Sequence, residues 1–188
     1  MSASDPPVPV LEPGDPLDRF SQCHTGILRQ LQALDGLPEL ARAAAQARAT
    51  ADETLRFFRD VIHEHHQQEE QELFPAVLAS ARAGDERTRV QRIVEQLTRE
   101  HRQVEVAWAK LEPALKALAK GRDAEVDEGA VAALVRDYQA HAAFEEREFL
   151  PLSETILGRD GNHLAALGLA LHMRDALPEA LKRFQGRI

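Results

Sequence analysis

One cysteine, Cys23, stands in 188 residues. That excludes an intramolecular disulfide framework and a four-cysteine zinc site, and it fits a reducing compartment. Aromatic residues make up only 5% of the chain while Ala, Leu, Arg and Glu abound, a balance that favours helices over strands. Cations are in deficit: 23 Lys and Arg against 31 Asp and Glu leave a formal charge of −8. Sequence-independent nucleic-acid binding relies on clustered Lys and Arg facing phosphates, so no nucleic-acid partner is expected. No apolar run reaches the roughly 18 residues that span a bilayer. The opening stretch MSASDPPVPVLEPGD has neither a basic start nor an apolar segment, so no membrane partner is expected and the reading is a soluble, cytoplasmic protein.

What is present points to helices. Residues 1–14, rich in Pro, Ser and acidic side chains, read as a disordered tail. Asp15-Pro16 can cap and open a first helix carrying Leu17, Phe20, His24, Ile27, Leu31 and Leu34 on one stripe and stopping near Gly36. Thr50-Ala-Asp-Glu53 has the form of a capping box and opens a second helix with Phe58, Ile62, His65, Glu69, Leu73 and Val77 along a face, its last turns kinked by Pro75. A third helix presents Val90, Val94, Leu97, His101, Val104, Trp108 and Leu111 before Gly121. A fourth begins near Asp127 and places Leu134, Tyr138, His141, Glu145 and Phe149 inward. The fold class expected is all-α, an up-down-up-down antiparallel four-helix bundle over residues 15–155, with a C-terminal extension at 156–188 holding a short fifth helix at about 162–184, interrupted by Pro178.

A repeat carries the functional signal. His65-x-x-x-Glu69-Glu70-x-x-Leu-Phe-Pro75 returns as His141-x-x-x-Glu145-Glu146-x-x-Phe-Leu-Pro151, displaced by 76 positions, and His24 answers His101 at 77. An i, i+4 pair shares one helical face, so each His-x-x-x-Glu can offer an imidazole nitrogen and a carboxylate oxygen to a metal. All four histidines fall inside apolar stripes. A buried imidazole without a partner costs about 1–3 kcal/mol, and an unpaired buried carboxylate costs more, so a shared metal explains the set better than a purely structural polar core. Four nitrogens and two carboxylates are too many for one closed tetrahedral zinc and too nitrogen-rich for magnesium or calcium. Two octahedral iron or manganese ions fit better.

His24, His65-x-x-x-Glu69, His101 and His141-x-x-x-Glu145, with the shared E-E-x-x-L-F-P and E-E-x-x-F-L-P tails, resemble the hemerythrin-like HHE cation-binding domains over about residues 15–155. The resemblance implies a non-haem diiron centre, with manganese or zinc as substitutes, that binds oxygen, nitric oxide or peroxide or that stores, delivers or repairs iron. It makes Glu69 and Glu145 bridges between the irons and His24, His65, His101 and His141 terminal ligands. True hemerythrins call for five histidines and a final His-x-x-x-x-Asp, so the four-histidine, two-glutamate set here is more similar to the proteins that repair iron centres after nitrosative stress. Those carry a cysteine-containing N-terminal domain that this N-terminus does not match. The alternative is a diiron enzyme that reduces oxygen, peroxide or nitric oxide; a metal-free helical interaction module is the distant third. A protein partner is left open.

The register of the repeat assigns the remaining polar residues. His66 aligns with Ala142 whereas His65 aligns with His141, so His66 and His63 are placed on the solvated or boundary face, with a fifth-ligand role for His66 as the minority reading. Glu70 and Glu146 are read as surface carboxylates or as acceptors behind the ligands. Tyr138, one turn before His141, either donates to a metal-bound ligand or is a core tyrosine. Cys23 is read as inert, and His163 and His172 as capping or surface residues.

Overall fold

The structure, a computed structural model, describes residues 16–159 and residue 168. The tail at 1–14 and the terminal helix with His163, His172 and Pro178 lie outside the described residues. Among the described residues all regular structure is helical and no strand occurs, as expected for an all-α chain. None of these helices is long and apolar enough to cross a membrane. The chain divides into two units, 1–46 and 47–188.

Helix α1, Pro16–Phe57, supplies the described part of the first unit and continues past its boundary. This corrects two sequence expectations, a stop near Gly36 and a new start at Thr50. Strong helix formers flank Gly36 and Pro38, above all the run Ala41–Ala51, and their summed propensity carries the helix through both breakers. Thr50, read as a cap, is an interior residue whose carbonyl accepts from Thr54 Oγ1 at 2.8 Å.

Among the described residues, three helical rods make up the second unit. The first continues from α1 through a π-helical segment π1 (Phe58–Ile62), α2 (His63–Gln68), π2 (Glu69–Leu73) and α3 (Phe74–Ser80). The second is α4, Asp85–Ala119. The third runs through α5 (Glu128–Phe144), π3 (Glu145–Phe149) and α6 (Leu150–Leu157). Short links reverse the chain between them, with Gly84 at φ 98° and Gly121 at φ 70°, a left-handed backbone that side chains disfavour. Asp127 caps the third rod as its sequence suggests, its Oδ1 accepting from Ala130 N–H at 3.0 Å. Of the four bundle helices expected, three are these rods; the fourth corresponds to the N-terminal part of α1 and belongs to the other unit.

The sequence repeat extends to the backbone. π2 and π3 both begin on the motif glutamate, with Phe74 N–H bonded to the Glu69 carbonyl and Leu150 N–H bonded to that of Glu145. Pro75 and Pro151 follow at once, and a proline there has no N–H for the carbonyl four residues back. Such single wide turns are frequent at functional sites.

Two apolar layers hold the rods together. One gathers Phe74, Val77, Val90, Leu97, Phe149 and Ile156. The other gathers Phe58, Ile62, Val104, Trp108, Leu111 and Leu134, with Phe58 stacked on Trp108 at 3.7 Å. In every rod the chain passes from one layer to the other through buried polar residues: His66 and Glu69 in the first, His101 in the second, His141 and Glu145 in the third.

Candidate metal centre

That polar layer is the candidate site. Its donor atoms fall into two groups, each lying within 4.8 Å: His66, His101 and His141 in one, His65, Glu69 and Glu145 in the other. Glu69 joins them. Its Oε1 lies 3.5 Å from His65 Nε2 and its Oε2 lies 3.2 Å from His101 Nε2, so a single carboxylate faces both groups.

Hydrogen bonds behind the ring nitrogens fix their orientation. His101 Nδ1 pairs with Glu70 Oε1 at 2.8 Å, and His141 Nδ1 pairs with Glu100 Oε2 at 3.1 Å. A carboxylate accepts, so each Nδ1 carries the proton and, in the neutral ring, each Nε2 is left with a lone pair pointing into the layer. Among the described residues, six buried atoms find no hydrogen-bond partner: both ring nitrogens of His66, both oxygens of Glu69, and Nε2 of His101 and His141. Native cores rarely leave such atoms unsatisfied, because each costs about 1–3 kcal/mol. Cations set among them would satisfy five of the six, one nitrogen of His66 keeping its proton, and the donor set of imidazoles and carboxylates fits one or two transition-metal ions.

Electrostatics point the same way. Burial, and then the Glu69 carboxylate beside it, push the Glu145 carboxyl up to about 10. Burial also acts to raise Glu69, but the polar groups of His101 and Glu145 and the nearby His65 outweigh it and bring Glu69 down to about 2. Two carboxyl groups in contact inside a core need a shared proton or a cation. Burial, followed by the neighbouring His101 and His65, drives His66 down to about 3. His141 is also lowered by burial, whereas for His101 the pull of Glu69 and Glu70 exceeds the burial penalty and raises it. Tyr138, half-buried beside the site, has its phenol pushed up to about 12 by burial and by the two carboxylates.

Five of the six residues singled out from sequence, namely His65, Glu69, His101, His141 and Glu145, come together here. The sixth, His24, was expected in the core. It is exposed on α1 in the first unit, in edge-to-face contact with Phe20 at 5.0 Å, and belongs to neither donor group. His66 is the larger correction. Placed on the boundary from the repeat, it is 3% exposed and faces the layer, while His65 is half-buried. His63 and Glu146 are exposed as expected, and Cys23 is a free, exposed thiol. Glu70 takes the role of acceptor behind a histidine, and Glu100 joins it unanticipated. A cavity of about 300 Å³ adjoins the layer, lined by His63, His66, Gln67, Glu70, Gln71, Arg102 and Glu105.

The hemerythrin HHE cation binding domain matches residues 15–153 of the chain. No curated protein and no solved structure matches it.

Proposed function

The chain belongs to the hemerythrin HHE cation-binding domain family, and from that premise we propose that it is a non-haem diiron protein that binds oxygen, nitric oxide or peroxide, or handles iron. The observation that carries this reading is the Glu69 carboxylate, with one oxygen toward His65 and the other toward His101. Glu69 and Glu145 would bridge two ions, and His65, His101 and His141 would be terminal ligands. His24 is a ligand in this reading by family resemblance alone. Two irons held there would supply redox chemistry and open coordination positions for a small ligand. Manganese or zinc can take the same donors.

The chain's own residues do the rest. Glu70 and Glu100 hold the ring tautomers, the apolar layers exclude bulk water, and the polar cavity beside Glu70 suits solvent and small ligands. A second reading, an enzyme that reduces oxygen, peroxide or nitric oxide, draws on Tyr138. Its ring stands 5.8 Å from that of His141 and keeps its phenolic proton, which can be held or donated at the centre.

The test is metal analysis of the aerobically purified chain together with optical spectra under oxygen, azide and nitric oxide. Two irons per chain and an azide-dependent band are expected, and His65→Ala or His141→Ala should remove one ion and weaken the other. A saturated wild type holding one ion would defeat the dinuclear reading. Steady consumption of oxygen or peroxide with an added reductant would favour the enzyme.

A further inference from the structure

We propose that His66 is a metal ligand of this centre, completing a buried all-imidazole subsite with His101 and His141. The inference rests on the diiron reading above and adds a residue to which the repeat gives no counterpart, since Ala142 occupies the matching place in the second half.

Position comes first. Ile62, His65, His66 and Glu69 stand at i, i+3, i+4 and i+7, the spacing of one broad helical face, so a single rod can turn two adjacent imidazoles toward the layer. Burial comes next. His66 is 3% exposed, and among the described residues neither of its ring nitrogens has a hydrogen-bond partner. A histidine kept in a core for packing alone normally hands at least one nitrogen to a carbonyl or a carboxylate. His101 and His141 do so and present only Nε2 to the layer, whereas His66 has neither nitrogen engaged.

Geometry supplies the proximity, and the stacked His66 and His101 rings must turn for their in-plane lone pairs to meet at one ion. The His66 ring stacks on His101 at 3.9 Å with 8° between planes and meets His141 edge-on at 5.7 Å. One nitrogen from each lies within 4.8 Å of the others. Three imidazoles that repel one another if charged are compatible when neutral around a cation. With His66 included, four nitrogens and two carboxylates come from residues 65–145 alone. The two ions would then differ in kind: beside the bridging carboxylates, one would see three buried nitrogens and the other His65 alone.

The test uses the full chain, stripped of metal and titrated with Co2+ as an optical probe and with Fe2+. His66→Ala should bind one of the two ions at least about 10-fold more weakly, and added imidazole should restore it. His66→Phe keeps a flat ring beside His101, so the core stays filled; it should keep its helicity by circular dichroism, lose the same ion and gain nothing from imidazole. Glu72→Ala, an exposed change on the same rod, should titrate like wild type. If folded His66→Phe binds both ions as wild type does, or if imidazole fails to restore His66→Ala, the assignment is overturned. A wild type that takes up no metal would instead defeat the diiron reading itself.

Discussion

His101 Nδ1 donates to Glu70 Oε1 at 2.8 Å, and the other Glu70 oxygen accepts from Arg102 at 2.6 Å. Arg102 also reaches Glu105 at 2.8 Å, so the ring is anchored to a chain of charges running out to the surface. His141 has a shorter version of the same support through Glu100.

Glu70 is therefore a positioning residue. Glu70→Ala should leave the helical fold intact and weaken metal binding by about 10–100-fold, the usual effect of removing an acceptor behind a metal-binding histidine. Glu70→Gln keeps an acceptor oxygen and should recover most of that loss, which a merely structural role would not predict. Glu100→Ala should act alike through His141. Exposed Glu146→Ala should leave the dissociation constants unchanged.

The bridging role proposed for the two glutamates answers to a sharper measurement. Glu69→Ala or Glu145→Ala should abolish dinuclear binding and any azide-dependent band. Glu69 should be the more damaging of the two, because its oxygens face both donor groups. A Glu69→Ala chain that still holds two ions per molecule would remove it from the bridge.

How far the sequence spoke is clearest at the first rod. Phe58, Ile62, Glu69, Leu73 and Val77 are buried as the periodicity predicts, and so are the stripes of the other two rods apart from the half-buried Val94 and Tyr138. His66 escapes a residue-for-residue match of the two halves, which admits one inward histidine per motif. The broader i, i+3, i+4, i+7 face was already there to be read. The π segments add to the difficulty, since a wide turn changes the angular register and leaves only a weak mark, here the proline that follows two of the three. The run of α1 past Gly36 and Pro38 escaped for another reason. Breaker residues act locally, whereas the alanine-rich stretch that follows them acts through a sum.

Leu97 is fully buried in the layer beneath the polar residues, whereas Val106, on the same helix, is 59% exposed. Leu97→Ala should cost about 2–5 kcal/mol in equilibrium unfolding, and Val106→Ala should stay within about 0.5 kcal/mol of wild type. Because Leu97 stands one turn from His101, its loss should also lower metal retention on heating. Equal unfolding midpoints for the two variants would mean that this layer is not what holds the rods.

The stabilisation that metal brings should grow with pH. In the metal-free chain the Glu145 carboxyl is raised from 4.5 to about 10, so its contribution is complete below the ordinary carboxylate range and is lost as pH rises toward 10. His66, lowered from 6.5 to about 3, behaves in the opposite sense: its contribution is present above 6.5 and fades as pH falls toward 3. Between about pH 6 and about pH 9 the glutamate is therefore the group whose cost increases. A bound cation displaces that proton, so binding strengthens with pH by up to about 1.4 kcal/mol per unit for each proton released. The difference in melting temperature between loaded and metal-free chain should thus widen from about pH 6 to about pH 9. A difference that stays constant or narrows over the upper range would show that no proton leaves the Glu69 and Glu145 pair when metal binds, and the pair would then lie outside the ligand set.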